Sequence, residues 1–115
     1  MATFFAGTKG NDWTARIGAC MAEDEATARH YAGRSGRVFV VEMDWNADFT
    51  FERVEVSRED IDANNWPGDT AASRAGLGVD VVEYEDMDER GDTHTTIRLL
   101  TDAACAAVLS VSEVA

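Results

Sequence analysis

The stretch Val82–Leu100, VEYEDMDERGDTHTTIRLL, decides how this chain folds. Both of its ends are strand-like, because β-branched and aromatic residues recur there, so we expect two paired strands around a turn. Six acidic residues lie between Glu83 and Asp92. A cluster of this kind suits three interpretations: a metal site, a carboxylate that stabilises a cationic intermediate, or a turn that simply faces water.

The segments on either side of this hairpin predict a mixture of strands and short helices. Extended or strand-like segments are TFFAG (3–7), IGACMA (17–22), RVFVVEMDW (37–45), FTFERVEV (49–56) and VLSVSEV (108–114). Helical segments are AEDEATARHYAGR (22–34), TAASRAG (70–76, within TAASRAGLG and ending at Gly76) and DAACAA (102–107), and NNWPGD (64–69) is typical of a turn. Hairpin-type neighbours outnumber βαβ units, so we expect a single α+β domain, residues 1–115, with a mostly antiparallel sheet.

Three local signals make this outline more specific. Acidic residues at 23–25 and Gly33 predict the two ends of the first long helix. The apolar pattern changes face between Phe51 and Val54, which predicts a bulge near Glu52 and Arg53. Ser57 has the position of a helix N-cap.

The net charge of the chain limits the kinds of molecule that we expect it to bind. Ten basic and 22 acidic residues give a formal net charge of −12 and a pI near 4.3. Such a surface repels nucleic-acid phosphates and anionic membranes, so we expect no direct binding to either. A basic protein partner fits the charge, and so does the plainer interpretation that the acids keep the chain in solution.

The cysteines and the N-terminus indicate a cytoplasmic protein. Cys20 and Cys105 are far apart and form no CxxC pair, so we expect reduced thiols. The N-terminus lacks a basic segment followed by an apolar one, and no apolar run approaches the roughly 20 residues of a membrane span.

The acidic turn is a poor calcium loop. Asp86, Asp88 and Gly91 match three positions of an EF-hand loop. Arg90 occupies a ligand position, however, and Ile97 stands where the bidentate glutamate belongs. The histidines and cysteines have no metal-ligand spacing either. We therefore expect no metal.

Four segments, taken in order, carry a family resemblance: FFAGT, GACMAEDEATARHYAG, GRVFVVEMD, and AGLGVDVVEYED followed by HTTIRLL. Together they resemble the small ADP-ribosyltransferase family, in particular its phage-encoded anti-CRISPR branch. That family has a strand ending in His-Gly-Thr or His-Gly-Ser, a helix ending in Ala-Tyr, and a late strand followed by an acidic catalytic residue. The resemblance implies a mostly antiparallel split sheet with a few short helices, and NAD as substrate.

The resemblance also implies roles for individual residues. Gly7 would present its backbone to the nicotinamide amide, since close backbone approach needs a missing side chain, and Thr8 follows it as in the family. Tyr31 would stack near the nicotinamide ring. Asp86 would be the acidic catalytic residue, with Glu85 beside it as the substitute candidate.

Some positions depart from the family pattern. Ala6 stands where a histidine contacts a ribose of NAD, and Cys20 stands where a tyrosine is common. The glutamate of the last catalytic strand would fall near Thr95 or Thr96. The resemblance nevertheless implies that Cys20 and Thr95 occupy cofactor-binding positions in this chain. The resemblance therefore assigns the role of the acidic catalytic residue to Asp86, as in the anti-CRISPR branch.

Two functions stay open at this stage. The first is a mono-ADP-ribosyltransferase that moves ADP-ribose from NAD to a protein side chain, as a phage-type inhibitor of a host defence factor would. A fixed carboxylate would stabilise the cationic sugar carbon formed on the way. The second is a catalytically inactive acidic binding module, an inhibitor or nucleic-acid mimic, that occupies a basic site on a partner protein. An enzyme requires Asp86 to face a cleft, whereas a binding module tolerates it on a convex edge.

Overall fold

The computed structural model describes residues 2–45, 48–56, 59, 67–87 and 93–114. Within these ranges the chain forms strands and short helices, and the predicted α+β class is confirmed. The strands are β1 (Ala2–Thr8), β2 (Cys20–Ala22), β3 (Arg37–Met43), β4 (Phe51–Arg53), β5 (Val81–Met87), β6 (Thr93–Leu99) and β7 (Val108–Glu113). The helices are α1 (Glu25–Ala32), α2 (Pro67–Arg74) and α3 (Asp102–Ala106). No helix in the described ranges has the length and apolar character needed to cross a membrane.

The strands form one sheet in the order β4-β5-β6-β2-β1-β3-β7. β4 and β5 run parallel, and the other neighbouring strands run antiparallel. A parallel pair needs a crossover connection, and here the segment that contains α2 supplies it. The mostly antiparallel sheet expected from the sequence is therefore confirmed.

The sheet is joined weakly at its middle. β1 pairs with β3 along its whole length, from Ala2 with Met43 to Thr8 with Arg37. Between β1 and β2, by contrast, the described ladder has a single register pair, formed by residues 5 and 22. Two well-paired halves, β4-β5-β6-β2 and β1-β3-β7, thus meet at one point, and past that point β1 and β2 separate.

α1 can lie close to the sheet because glycines lie beneath it. A Cβ atom on Gly7 would come 1.9 Å from the carbonyl oxygen of Ala28, and one on Gly36 would come 1.9 Å from that of Ala32. Ala28 and Ala32 are themselves buried against Val38 of β3. The helix backbone therefore rests almost directly on β1 and β3.

The ends of α1 form as the sequence predicts. The Asp24 side chain accepts a hydrogen bond from the Thr27 amide at 2.7 Å, which satisfies one of the free donors of the first turn. At the other end Gly33 has a φ of +72° and its amide donates to the Arg29 carbonyl. The positive φ explains why glycine stands there.

The two faces of the sheet have different coverings. The first, here called the core face, holds the largest buried cluster, against which α3 and the ring of Trp45 pack. Its members on the strands are Phe4, Ala6, Met21, Val41, Met43, Val81, Ile97 and Leu99. The opposite face, here called the cleft face, carries α1 over β1 and β3, and α2 over β5.

Two sequence expectations are wrong. The segment Pro67–Asp69 was expected to be part of a turn, but it forms the first residues of α2. Proline suits the first helical position, because its missing amide hydrogen has no partner there in any case. The bulge expected at Glu52 and Arg53 is absent, since β4 pairs with β5 in an unbroken register. A register shift occurs instead between β3 and β7, at Glu42 and Met43.

Three further expectations fall on residues outside the described ranges. These are the N-cap at Ser57, the residues 64–66 that precede Pro67, and the turn at 88–92 that joins β5 to β6. The antiparallel pairing of β5 with β6, from residues 81 and 99 to residues 87 and 93, confirms the two arms of the predicted hairpin.

Candidate functional site

A cleft of about 410 Å³ opens on the cleft face, where β1 and β2 separate. Strands β1, β2, β5 and β6 and helix α1 all contribute residues to its walls. Five of the positions singled out in the sequence line this one concavity: Gly7, Thr8, Cys20, Tyr31 and Asp86. Residues from distant parts of the chain therefore converge, and the volume is within the range of about 300–1,000 Å³ typical of small-molecule sites.

Strand alternation places Asp86 in the cleft and excludes its neighbour. Successive side chains of a strand point to opposite faces, so Tyr84 and Asp86 share the cleft face while Glu85 lies on the core face. The same rule on β6 puts Thr96 in the cleft and Thr95 on the other face. The structure therefore brings Asp86 to the candidate site and leaves Glu85 and Thr95 outside it.

Glu85 is instead engaged in a local ion pair. Arg53 of β4 donates to Glu85 Oε1 at 3.0 Å and also pairs with Glu83. The Thr95 hydroxyl donates to the same Glu85 oxygen at 3.0 Å. The Arg53 guanidinium lowers the pKa of Glu85, with a smaller contribution from Thr95. This carboxylate ties β4, β5 and β6 together.

Two uncharged groups, the Cys20 thiol and the Tyr84 hydroxyl, line the cleft together with Asp86. The Cys20 thiol lies 3.8 Å from the hydroxyl of Tyr84, a residue that is only 2% exposed. Burial raises the pKa of both groups, and the negative charge of Asp86 raises both further. At neutral pH the Asp86 carboxylate therefore stands beside a neutral thiol and a neutral phenol. Low polarity of this kind strengthens the electrostatic effect of a nearby charge.

Tyr31 lies on one side of the cleft and is hydrogen-bonded to His94. The Tyr31 hydroxyl and His94 Nε2 share a hydrogen bond of 2.8 Å, and their rings meet edge to face with centroids 5.2 Å apart. Tyr31 remains 41% exposed, so its ring lies at the rim of the cleft. An aromatic ring at a rim can stack on a flat ligand.

A second cavity of about 490 Å³ adjoins the first and shares Gly7, Thr8 and Cys20 with it. It is formed largely by the loop between β1 and β2, which contributes Asp12 and Arg16. In an acid-rich chain most cations should be paired. Yet Arg16, like Lys9 at the first cleft, has no ion pair with any described residue. Lys9 and Arg16 therefore stand beside the joined cavities without an ion pair in the described part of the chain.

Ala6 differs from the family pattern in its surroundings as well as its identity. Its side chain is 1% exposed and packs in the cluster on the core face. A histidine side chain at this position would point into that core rather than into the cleft. A side chain at position 6 is therefore directed away from the cleft.

Sequence reasoning did not include several residues of the site, namely Tyr84, Arg16 and the partnership of His94 with Tyr31. Tyr84 could have been found, because it lies two residues before Asp86 on a strand and must share its face. The other contacts depend on how α1 and the loop after β1 lie in space, and no local pattern encodes them.

Within the described ranges, no group of three or more histidine, cysteine, aspartate or glutamate side chains is placed to hold a metal ion. Comparison of the chain with protein-family models, curated proteins and solved structures finds no match. The chemistry of the site therefore has to be inferred from its own residues.

Proposed function

We propose that this chain is a mono-ADP-ribosyltransferase that binds NAD in the cleft and transfers ADP-ribose to a side chain of a protein. One observation carries the proposal: Asp86 faces a concavity whose other walls include Gly7 and Tyr31. An enzyme of this class requires a carboxylate that faces a cleft. Asp86 on a convex edge would have been evidence against the proposal.

The chemistry gives Asp86 a definite task. When the bond between the ribose C1′ and the nicotinamide nitrogen breaks, nicotinamide leaves with the bonding electrons and positive charge develops on the ribose ring. A fixed carboxylate stabilises that charge, and the nucleophile of the acceptor side chain then forms the new bond to C1′. The neutral surroundings provided by Cys20 and Tyr84 make the carboxylate more effective than it would be in water.

Gly7 and Tyr31 would position the leaving nicotinamide. Gly7 lines the cleft where β1 separates from β2, so its backbone would face the amide of the nicotinamide, while the space left by its missing side chain is occupied by α1. Tyr31 offers a ring at the rim of the same cleft. Holding a reactant in one orientation is itself a large part of catalysis.

The second cavity supports a ligand longer than a nicotinamide nucleoside. It continues from the first past Gly7, Thr8 and Cys20, and it places Arg16 where a phosphate could be neutralised. The sheet itself, joined at its middle by one register pair, is also consistent with the split sheet of the family. We propose on these grounds that the fold is ADP-ribosyltransferase-like.

A nicotinamide-release assay tests the proposal. Purified protein incubated with NAD should release nicotinamide, and Asp86→Asn should lower kcat by about a hundredfold or more, the usual cost of removing one group that stabilises charge in the transition state. Glu85→Gln provides the matched comparison, because it changes the neighbouring carboxylate on the other face of the same strand. We expect its kcat to stay within about threefold of the wild type. Equal rates for the wild type and Asp86→Asn would contradict the proposal.

The net charge of −12 supports a second candidate, an acidic binding module that occupies a basic site on a partner protein. Binding of that kind would weaken steeply with salt, because screening acts on exposed charges. It would also be indifferent to NAD and to Asp86→Asn. Affinity for the partner that depends on Asp86 but hardly on salt would exclude the binding module.

A further inference from the structure

The hydrogen bond between Tyr31 and His94 crosses the rim of the cleft. Tyr31 is on α1 and His94 is on β6, and 63 positions of sequence separate them. The distance of 2.8 Å between the Tyr31 hydroxyl and His94 Nε2 is that of a well-formed hydrogen bond. The contact therefore constrains the outer end of the exposed Tyr31 side chain.

This bond connects the two halves of the sheet. α1 rests on β1 and β3, whereas β6 belongs to the half formed by β4, β5, β6 and β2. In the sheet itself these halves are joined through the single pair of Phe5 with Ala22 in the described ladder. On the cleft face the Tyr31–His94 bond is thus a further connection between the halves, beside the apolar cluster that joins them on the core face.

His94 is well placed for such a role without lining the cleft itself. It is the cross-strand partner of Asp86 in the ladder between β5 and β6. Alternation puts it on the same face as Thr96, which does line the cleft. The imidazole thus lies between the candidate catalytic carboxylate and the aromatic wall.

We propose that His94 is a positioning residue, which holds the Tyr31 ring over the cleft through the phenol hydroxyl. This inference rests on the proposed function, because it assigns the Tyr31 ring to binding of the nicotinamide group. His94 would act through Tyr31 and would not touch the reacting atoms.

The hydrogen bond can form in either direction, because a phenol hydroxyl both donates and accepts and the role of the imidazole nitrogen depends on its tautomer.

A double-mutant cycle tests the positioning role. Tyr31→Phe keeps the ring and removes the hydroxyl, and His94→Ala removes the partner. We expect each variant to raise KM for NAD about fivefold, which is the typical cost of one hydrogen bond, with kcat within about twofold of the wild type. Because both variants break the same bond, the double variant should show no larger effect than either single one.

Two further variants separate positioning from general destabilisation. His94→Gln supplies an amide that can hydrogen-bond the phenol, so it should restore most of the affinity for NAD. Thr93→Ala changes an exposed residue of the same strand and should leave KM unchanged. Melting curves of each variant confirm that it is folded.

The outcomes separate this inference from the proposed function. Full additivity in the cycle, or an unchanged KM for His94→Ala in an active protein, would overturn the positioning role alone. A wild-type protein that neither binds NAD nor releases nicotinamide would overturn the proposed function, and the positioning role with it.

Discussion

At the scale of single residues, two adjacent carboxylates have entirely different surroundings. Asp86 faces the cleft beside a neutral thiol and phenol, while Glu85 is paired with Arg53 on the opposite face. Both residues lie in one acidic run of the sequence, and composition alone does not distinguish their roles. Strand alternation distinguishes the two carboxylates. Once the register of β5 is known, adjacent side chains must point to opposite faces of the sheet.

Gly7 has two reasons to be glycine. The resemblance assigns its backbone to the ligand, but the structure shows that its missing Cβ is also needed for α1 to approach β1. This packing requirement lies outside local sequence patterns, because it depends on a helix whose residues begin 18 positions later. A change at Gly7 therefore affects stability as well as the site.

We predict that Gly7→Ala lowers the free energy of unfolding by about 2–3 kcal/mol, the upper part of the range of about 1–3 kcal/mol for forcing an extra carbon into a packed contact. The new Cβ would come 1.9 Å from the carbonyl oxygen of Ala28, so α1 must shift. Gly10→Ala is the matched control, because the nearest atom to its Cβ, Thr8 Oγ1, is 3.5 Å away. Urea denaturation measures both, and equal losses for the two variants would show that α1 does not rest on Gly7.

At the scale of secondary-structure elements, the sequence predicts most of the framework. The arms of the hairpin, the ends of α1, and strands β1, β3 and β7 follow from alternation, capping residues and β-branched runs. The start of α2 was missed because proline suits both a turn and a first helical position. The parallel pairing of β4 with β5 could not be foreseen either, since a strand of three residues has no pattern that fixes its neighbour.

Asp80 joins three of these elements. Its carboxylate accepts a hydrogen bond from the Thr101 hydroxyl and another from the Thr50 amide, 2.7 Å away. Thr101 in turn caps α3, and Thr50 immediately precedes β4. These two donors, Thr101 first, lower the pKa of Asp80 below its ordinary 3.8.

A lowered pKa in the folded state has a definite consequence for stability. The ionised carboxylate stabilises the fold above the ordinary value of 3.8, and this contribution is lost as the pH falls through that value to the lower folded-state pKa. We predict that Asp80→Asn is less stable than the wild type at pH 7 and that the difference shrinks in acid. Thr101→Val, which removes the main donor, should reduce the same pH dependence. Denaturation curves from pH 7 to about pH 2.5 measure it, and a difference that stays constant with pH would contradict the assignment.

At the scale of the whole molecule, the site exists because the sheet is incomplete at its centre. β1 and β2 meet at residues 5 and 22 and then separate, and the two cavities open at that separation. Five candidate positions that lie up to 79 residues apart, Gly7 and Asp86 being the extremes, converge there. Their convergence was anticipated only through the family resemblance, because the separation of two strands has no signature in either of them.

The acidic character of the molecule bears on its acceptor. A net charge of −12 would suit a basic protein surface under either proposed function, enzyme or binding module. Charge therefore does not decide between the two functions. Binding of NAD in the cleft would decide between these two functions.

Calorimetric titration with NAD is the most direct test of that central claim. Cys20→Trp places a large side chain on the wall shared by both cavities, and Ser110→Trp places the same side chain on the exposed strand β7 as a control. The account predicts saturable heat with one site for the wild type and for Ser110→Trp, and no heat for folded Cys20→Trp. No heat with the wild type, or equal binding by Cys20→Trp, would contradict it.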